Sequence, residues 1–201
     1  MRKQITRGLA ESRIPFDPVS DAEKQYDQNL LQSWFRLPLT PAAVLIPILA
    51  RESKLSIMFT VRRECLSNHP GQISFPGGRP HSRDKDLLDT ALRESNEEIG
   101  LQSNQIDVVG NLQTQAVITG FAVVPFVGFV DECFIPVPQP SEVAEVFEVP
   151  LDHLLDHRNS KQSVRTRNNI DLLMWEYVWE DHLIWGATAQ MLNNLINNYI
   201  K

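Results

Sequence analysis

Residues 77–101 read Gly77-Gly78-Arg79-Pro80-His81-Ser82-Arg83-Asp84-Lys85-Asp86-Leu87-Leu88-Asp89-Thr90-Ala91-Leu92-Arg93-Glu94-Ser95-Asn96-Glu97-Glu98-Ile99-Gly100-Leu101. This stretch sets the reading of the whole chain. The run from Leu87 to Ile99 predicts a helix, and Gly100 stands where a left-handed cap is expected. At about 100° per residue, Glu94, Glu97 and Glu98 fall within roughly a 100° arc, while Leu88, Leu92 and Ile99 gather on a different one. One side of the helix is acidic and one is apolar.

An acidic side of this kind has two explanations. It is either a solvated face, with Arg93 supporting the helix through an i,i+4 pair to Glu97, or a binding site for a cation. Like charges at these spacings cost roughly a few tenths of a kcal/mol per pair, so a solvated helix gains nothing from them, whereas a divalent ion reverses the sign. Hard Mg²⁺ or Mn²⁺ takes carboxylate oxygens and reaches substrate phosphates through its remaining positions. The glycine turn just upstream favours the second explanation, because it lets backbone groups approach the same metal and a phosphate chain.

With this pattern the segment resembles the Nudix box: Gly, five residues, Glu, seven residues, then Arg-Glu, apolar, any, Glu-Glu, any, Gly, apolar. The chain supplies Gly78, Arg93-Glu94, Glu97-Glu98, Gly100 and Leu101. Asp84 replaces the first Glu, eight residues rather than seven separate it from Arg93, and Ser95 occupies a position that is usually apolar. Asp84 is therefore not assigned as a metal ligand. The resemblance implies an α/β fold of Nudix type, an α/β/α sandwich with a mixed β-sheet. It also implies Mg²⁺ or Mn²⁺ as cofactor, with Gly78 offering a backbone carbonyl, Glu94, Glu97 and Glu98 as ligands, and Arg93 orienting a glutamate. In the wider family a glutamate outside the box completes the metal shell or activates water, which makes Glu142 and Glu145 further catalytic candidates. Each is equally readable as a surface residue, and the sequence does not choose between them.

The residues just upstream, Phe59-Thr60-Val61-Arg62-Arg63 through Ser67, Gly71 and Phe75-Pro76-Gly77-Gly78, are similar to the signature of the coenzyme A pyrophosphatase branch. Met58-Phe59 stands where that branch often has two leucines. By that resemblance Arg62, Arg63, Ser67, Gly71, Phe75 and Gly77 bind substrate. An arginine fork can bind two phosphate oxygens at once, but neighbours on a strand point to opposite faces, so at most one of Arg62 and Arg63 meets a given ligand. Ser67 and His69 are also readable as surface loop residues, and Cys65 has no visible nucleophile context. No Gly-x-Ser-x-Gly element supports serine chemistry, and no Gly-Lys-Ser/Thr end makes the glycines a Walker loop. Thr119 to Gly128 and Ile184 to Ala189 also look like segments of this branch, extending the resemblance from about Ala42 to Leu195; the second segment is expected to supply a buried Trp185 and the start of a helix.

The implied function is hydrolysis of the diphosphate of coenzyme A or its derivatives to 3′,5′-ADP and the 4′-phosphopantetheine part. The alternatives are a Nudix pyrophosphatase for ADP-ribose or NADH, and a non-catalytic Nudix-fold regulator that binds a nucleotide. A small nucleotide is the expected partner, and a homodimer is one expected assembly.

The rest of the chain agrees with a globular enzyme. It has 201 residues, 42% hydrophobic and 22% charged, which suits one elaborated domain. A net charge of −6 argues against a broad grip on nucleic acid or anionic membrane. Cys65 and Cys133 are too few for a disulfide framework, which points to a reducing, cytoplasmic location. No secretory signal is expected, and the apolar runs Pro41 to Ala50 and Ile118 to Val130 are proline-interrupted and shorter than a membrane span, so they read as buried strands.

A capping box at Ser20-Asp21-Ala22-Glu23 predicts a helix over Ala22 to Phe35, so residues 1–35 are expected to form a helical extension and 36–201 the Nudix domain. Ala42 to Leu49 and Leu55 to Val61 predict a hairpin around Arg51-Glu52-Ser53-Lys54. Strands are further expected at Ile106 to Leu112, Phe121 to Val130, Ala144 to Val149 and Leu172 to Val178, with a last helix over Thr188 to Tyr199. Strands around one internal helix suggest a mixed sandwich rather than regular βαβ winding.

Overall fold

The computed structural model describes residues 1–51, 54–65 and 70–200. Three short helices, α1 (Arg2–Leu9), α2 (Pro18–Glu23) and α3 (Gln28–Trp34), lead into strands β1 (Thr40–Arg51), β2 (Lys54–Arg62), β3 (Ile73–Ser74) and β4 (Gly77–Gly78). Helix α4 (Leu87–Ile99) is followed by β5 (Ile106–Asn111), β6 (Gln115–Val117), β7 (Phe121–Val130), β8 (Val143–Pro150) and α5 (Leu151–Leu155). The chain then forms β9 (Ser160–Arg167), β10 (Ile170–Trp179), β11 (His182–Trp185) and α6 (Gly186–Leu195). Among the described residues no helix is long and apolar enough to cross a membrane.

The main sheet is mixed. β1 runs parallel to β7, Thr40 opposite Phe121 and Leu49 opposite Val130, and antiparallel to β2, Ile48 opposite Ile57. The hairpin turn at 52 and 53 lies outside the described residues. β1 and β2 part beyond that pairing, and the gap between them takes β4 against β1 (Ala43 opposite Gly78) and β3 against β2 (Val61 opposite Ile73). This split places the Gly77-Gly78 backbone at the heart of the sheet.

Both faces of the sheet are covered, which is why β1 and β7 read as continuous apolar runs. Ala43, Leu45, Val124 and Phe126 face α4, packing with Ala91 and Ile99. Ala42, Ile46, Val123 and Val127 face the other way, onto Ala189, Leu192 and Leu195 of α6. Each buried Val, Leu, Ile or Phe contributes about 1.5–3 kcal/mol; α4 meets the sheet through Ala91 and Ile99 with Leu87 and Leu88 alongside, whereas Leu92 of the expected stripe is only half-buried and lies outside this cluster. Ile5 and Leu9 of α1 join the α6 side of the core together with Ile196 and Ile200. β9, β10 and β11 form a separate three-stranded sheet in the order β11-β10-β9.

Helix α4 has the expected limits. Asp86 caps its start by accepting from the Asp89 amide at 2.9 Å, and Gly100 closes it with φ 73°. The N-terminal expectation is corrected. In place of one helix over 22–35 there are two, because Asp17 rather than Ser20 is the cap, accepting from the Ser20 amide at 3.0 Å with Pro18 behind it, and Asp27 restarts the chain by capping Leu30 at 2.9 Å. Trp185 is likewise not buried but 39% exposed, while the helix expected after it starts at Gly186.

Candidate active site

Arg93 organises the outer half of the site. Its Nε and Nη2 donate to the two oxygens of Asp84 at 2.9 and 3.0 Å, and Nη1 donates to Glu94 Oε1 at 2.8 Å and to Glu97 Oε2 at 3.0 Å. Asp84 also accepts from the His81 amide at 2.8 Å and from Thr90 Oγ1 at 2.9 Å. These contacts, the bidentate arginine fork above all, hold the Asp84 carboxyl well below the usual range. Asp84 thus sets the position of Arg93, with Lys85 and Asp86 leading from it into α4. Ser95 is fully buried at its usually apolar position because its hydroxyl donates to Ala91 O at 2.7 Å, satisfying it within the helix.

The three box glutamates are not equivalent. Glu97 is 58% exposed on the outer side, Glu94 is half-buried, and Glu98 lies against the sheet with its side chain 4% exposed. The single acidic arc expected of the helix is therefore split, since the 100° it spans reaches round onto the packed face. Glu98 Oε2 accepts from the Gly77 amide at 3.3 Å, and Oε1 stands 3.7 Å from Arg62 Nη1. Burial pushes Glu98 up to about 8 against the pull of Arg62 and Gly77, and Glu94 and Glu142 raise it further. Glu94 is raised too, first by burial, with Glu97 and Glu142 adding to it and Arg93 opposing.

Glycine is required at Gly77, and at Gly78 it leaves room for the end of the Glu94 side chain. Gly77 has φ 155°, and a Cβ there would lie 2.3 Å from Ala43 O; one at Gly78 would lie 2.5 Å from the Glu94 carboxyl carbon. Gly78 is therefore where backbone and the Glu94 carboxylate meet.

These groups open into a cavity of about 940 Å³ lined by Arg62, Phe75, Gly77, Gly78, Glu94, Glu98 and Glu142 among others. Arg62 lines it, while its Nε is buried and has no hydrogen-bond partner among the described residues. Arg63, just past the end of β2, points away, donating to Pro140 O at 2.6 Å, and this separates the two arginines. Glu142 and Glu145 are separated as well. Glu142 faces Glu94 and Glu98 across the cavity, whereas Glu145 sits 3.3 Å from His182 Nε2 on β11. Phe75 serves the core as much as the cavity, stacked on Phe59 at 5.0 Å. Gly71 turns beside Glu64 outside the lining, and Ser67 and His69 lie outside the described residues.

Arg79 is a residue that the sequence reading passed over. It lines the cavity with its guanidinium over the Phe121 ring at 4.9 Å, and its place directly after Gly78 was the available signal. Among the described residues no three His, Cys, Asp or Glu side chains already stand close enough to cage an ion. The donor chemistry nonetheless fits a hard dication: two carboxylates removed from water, a third facing them, and the Gly78 backbone against one of them.

Residues 39–168 match the NUDIX domain family. The chain belongs to the Nudix hydrolase family. Among relatives of this Nudix chain, the mouse (Mus musculus) protein named peroxisomal coenzyme A diphosphatase NUDT7 is 40% identical over 155 residues, which span 74% of this chain and 66%, just under two thirds, of that protein. A Nudix hydrolase named NudL from Photorhabdus laumondii is 35% identical over 154 residues, 77% of this chain and 82% of the relative. The crystal structure of a MutT/nudix family protein from Enterococcus faecalis superposes with a TM-score of 0.55 at 15% identity, covering 87% of this chain and 70% of that one, and shares the fold.

Proposed function

We propose that this Nudix hydrolase cleaves the diphosphate of coenzyme A or its derivatives, releasing 3′,5′-ADP and the 4′-phosphopantetheine part. The place of Arg62 carries the reading: the arginine of the upstream signature lines the cavity beside Glu98, where a guanidinium suits an anionic oxygen of the substrate. The likeness to the mouse coenzyme A diphosphatase supports the same substrate class.

Glu94 and Glu98, with Glu97 from the rim and the Gly78 carbonyl, would hold Mg²⁺ or Mn²⁺. Such an ion offsets phosphate charge and lowers the pKa of a bound water. Arg93, fixed by Asp84, keeps Glu94 and Glu97 in place. Glu142 is the better placed of the two outer glutamates to take a proton from the attacking water, since it faces the cavity and Glu145 does not line it. Arg62, Phe75 and Gly77 bind substrate, joined by Arg79.

Residues 36–201 would form the Nudix domain and residues 1–35 a helical extension that closes one side of the cavity with Tyr26, Leu30 and Phe35. The free, exposed Cys65 and Cys133 suit a cytoplasmic location.

Assaying the purified chain with Mg²⁺ or Mn²⁺ against coenzyme A, ADP-ribose, NADH and Ap4A tests the reading. Coenzyme A is expected to give the highest kcat/KM. Preferential cleavage of ADP-ribose or NADH would overturn the substrate while leaving Nudix chemistry standing.

A further inference from the structure

Among the described residues five aromatic rings line the cavity, those of Tyr26, Phe35, Phe75, Phe121 and Trp185. Four are already engaged. Tyr26 and Phe35 lie against each other at 4.9 Å, Phe75 stacks on Phe59 at 5.0 Å, and the Arg79 guanidinium covers Phe121 at 4.9 Å. Trp185 differs, being 39% exposed with no ring or guanidinium upon it among the described residues. The other three tryptophans are committed to the fold: Trp34 donates to Ile170 O at 3.0 Å, Trp175 stacks on Tyr177 at 6.3 Å, and Trp179 meets His153 edge-on at 4.6 Å.

An amide is uncommitted in the same region. Helix α6, which follows Trp185 directly, turns Ala187, Gln190 and Met191 to the cavity. Its Thr188 hydroxyl donates to Ile73 O at 3.0 Å and so ties α6 to β3, just ahead of the Gly77-Gly78 turn. Gln115, another amide of the lining, donates to the Tyr26 hydroxyl at 2.7 Å and to Ala116 O at 3.1 Å. Gln190 is half-buried, and its carboxamide makes no hydrogen bond among the described residues. An open indole face and a free carboxamide suit a nucleobase. Every base stacks by its π-face. A glutamine amide offers one acceptor and a donor, which match the donor and acceptor that adenine shows at N6 and N7, whereas guanine shows two acceptors at O6 and N7.

We propose that Trp185 and Gln190 form the base-binding corner of the cavity, the indole stacking on the adenine of the substrate and the carboxamide pairing with its edge. The proposal rests on the reading of this cavity as the coenzyme A site and adds how the nucleotide end is recognised. Adenine nucleotides are then preferred to guanine nucleotides.

The test is calorimetric binding, in Mg²⁺, of adenosine 3′,5′-bisphosphate, guanosine 3′,5′-bisphosphate and 4′-phosphopantetheine. It uses the full chain, Trp185→Ala, Trp185→Phe and Gln190→Leu, with turnover of coenzyme A and ADP-ribose measured alongside. The unaltered chain should bind the adenosine compound at least about tenfold more tightly than the guanosine one. Trp185→Ala should weaken adenosine 3′,5′-bisphosphate by roughly 5- to 150-fold, the worth of one stacked base, and Trp185→Phe should keep most of the affinity. Binding of 4′-phosphopantetheine, which has no base, should not change. Gln190→Leu should bring the adenine preference to within about threefold, and its half-buried position keeps the test decisive should Trp185→Ala fail to fold. Equal binding of the two bisphosphates by the unaltered chain would overturn the corner, as would a loss in Trp185→Ala that falls equally on 4′-phosphopantetheine. Coenzyme A cleaved with the same kcat/KM by Trp185→Ala would overturn it too and leave the coenzyme A reading intact. Cleavage of ADP-ribose but not of coenzyme A, with adenine still preferred, would overturn the coenzyme A reading and not the corner, since ADP-ribose carries the same base.

Discussion

Asp84 and Glu98 lie at opposite ends of the box, each with a side chain 4% exposed, yet their carboxyls are displaced in opposite directions. Asp84 is covered close to the surface and accepts four strong hydrogen bonds, two of them from one guanidinium, so its charge is compensated and the ionised form is favoured. Glu98 lies deep, with one amide at 3.3 Å and one arginine at 3.7 Å, and burial raises it to about 8. Both side chains are closed to water, but Glu98 is buried far more deeply and has fewer of its lone pairs partnered. A saturated carboxylate holds structure, and an under-saturated one retains capacity for a cation.

The largest expected effect is at the under-saturated end. Glu98→Gln keeps shape but removes charge, so turnover should fall by at least about 10²-fold, roughly 2.7 kcal/mol of barrier, with the fold retained by circular dichroism. Glu97→Gln should lose less, because Glu97 acts from the rim; the reverse order in steady-state assays would break the comparison. Next comes Arg62→Ala, expected to lower kcat/KM on coenzyme A by about 10- to 150-fold through the lost charge-assisted contact, while Arg63→Ala stays within about twofold. Equal losses in the two would mean that the chain's course at the end of β2 does not select the ligand-facing arginine.

At the saturated end the effect should appear in stability. Asp84→Asn removes the charge that anchors Arg93 and should cost about 2 kcal/mol, or roughly 4–8 °C in Tm, with a smaller loss of turnover than Glu98→Gln. An unchanged Tm would show the clamp to be dispensable.

The smallest effect concerns pH. Between the ordinary glutamate value of 4.5 and about 8 the folded protein without metal keeps a proton on Glu98 that the unfolded chain has lost. The folded state then binds more protons, so its stability falls as pH rises through that window. Chemical denaturation of the metal-free protein at pH 5 and pH 8 should register the decline, Glu98→Gln should flatten it, and a decline of equal slope in that variant would assign it to another group.

What was legible in the sequence follows from the range of the forces involved. The limits of α4 could be read because its capping Asp86 and its left-handed Gly100 act within a few residues. Residues 18–34 were misread because Asp17, Ser20 and Asp27 all offer caps, and which of them wins depends on how Ala22 and Leu31 pack with Leu39 and Ala122. β9 and β11 are short of apolar alternation and exist as partners of β10, so their pairing, rather than their propensity, makes them strands.

The candidate site divides in the same way. The sequence by itself determined the glycine turn, the arginine and the three glutamates of the box, because their spacing along one helix sets their angular relation. Only the tertiary structure decided which of them are desolvated, since the sheet packs against one side of α4 and buries Glu98 while Glu97 remains in water. It also decided between Arg62 and Arg63 and between Glu142 and Glu145, and it brought Tyr26, Leu30 and Phe35 to the same cavity as Leu172, Leu173 and Met174. These are contacts between segments far apart in the chain. Each depends on where the β1–β2 split and the β8 and β10 pairings carry the backbone, and local sequence does not encode that.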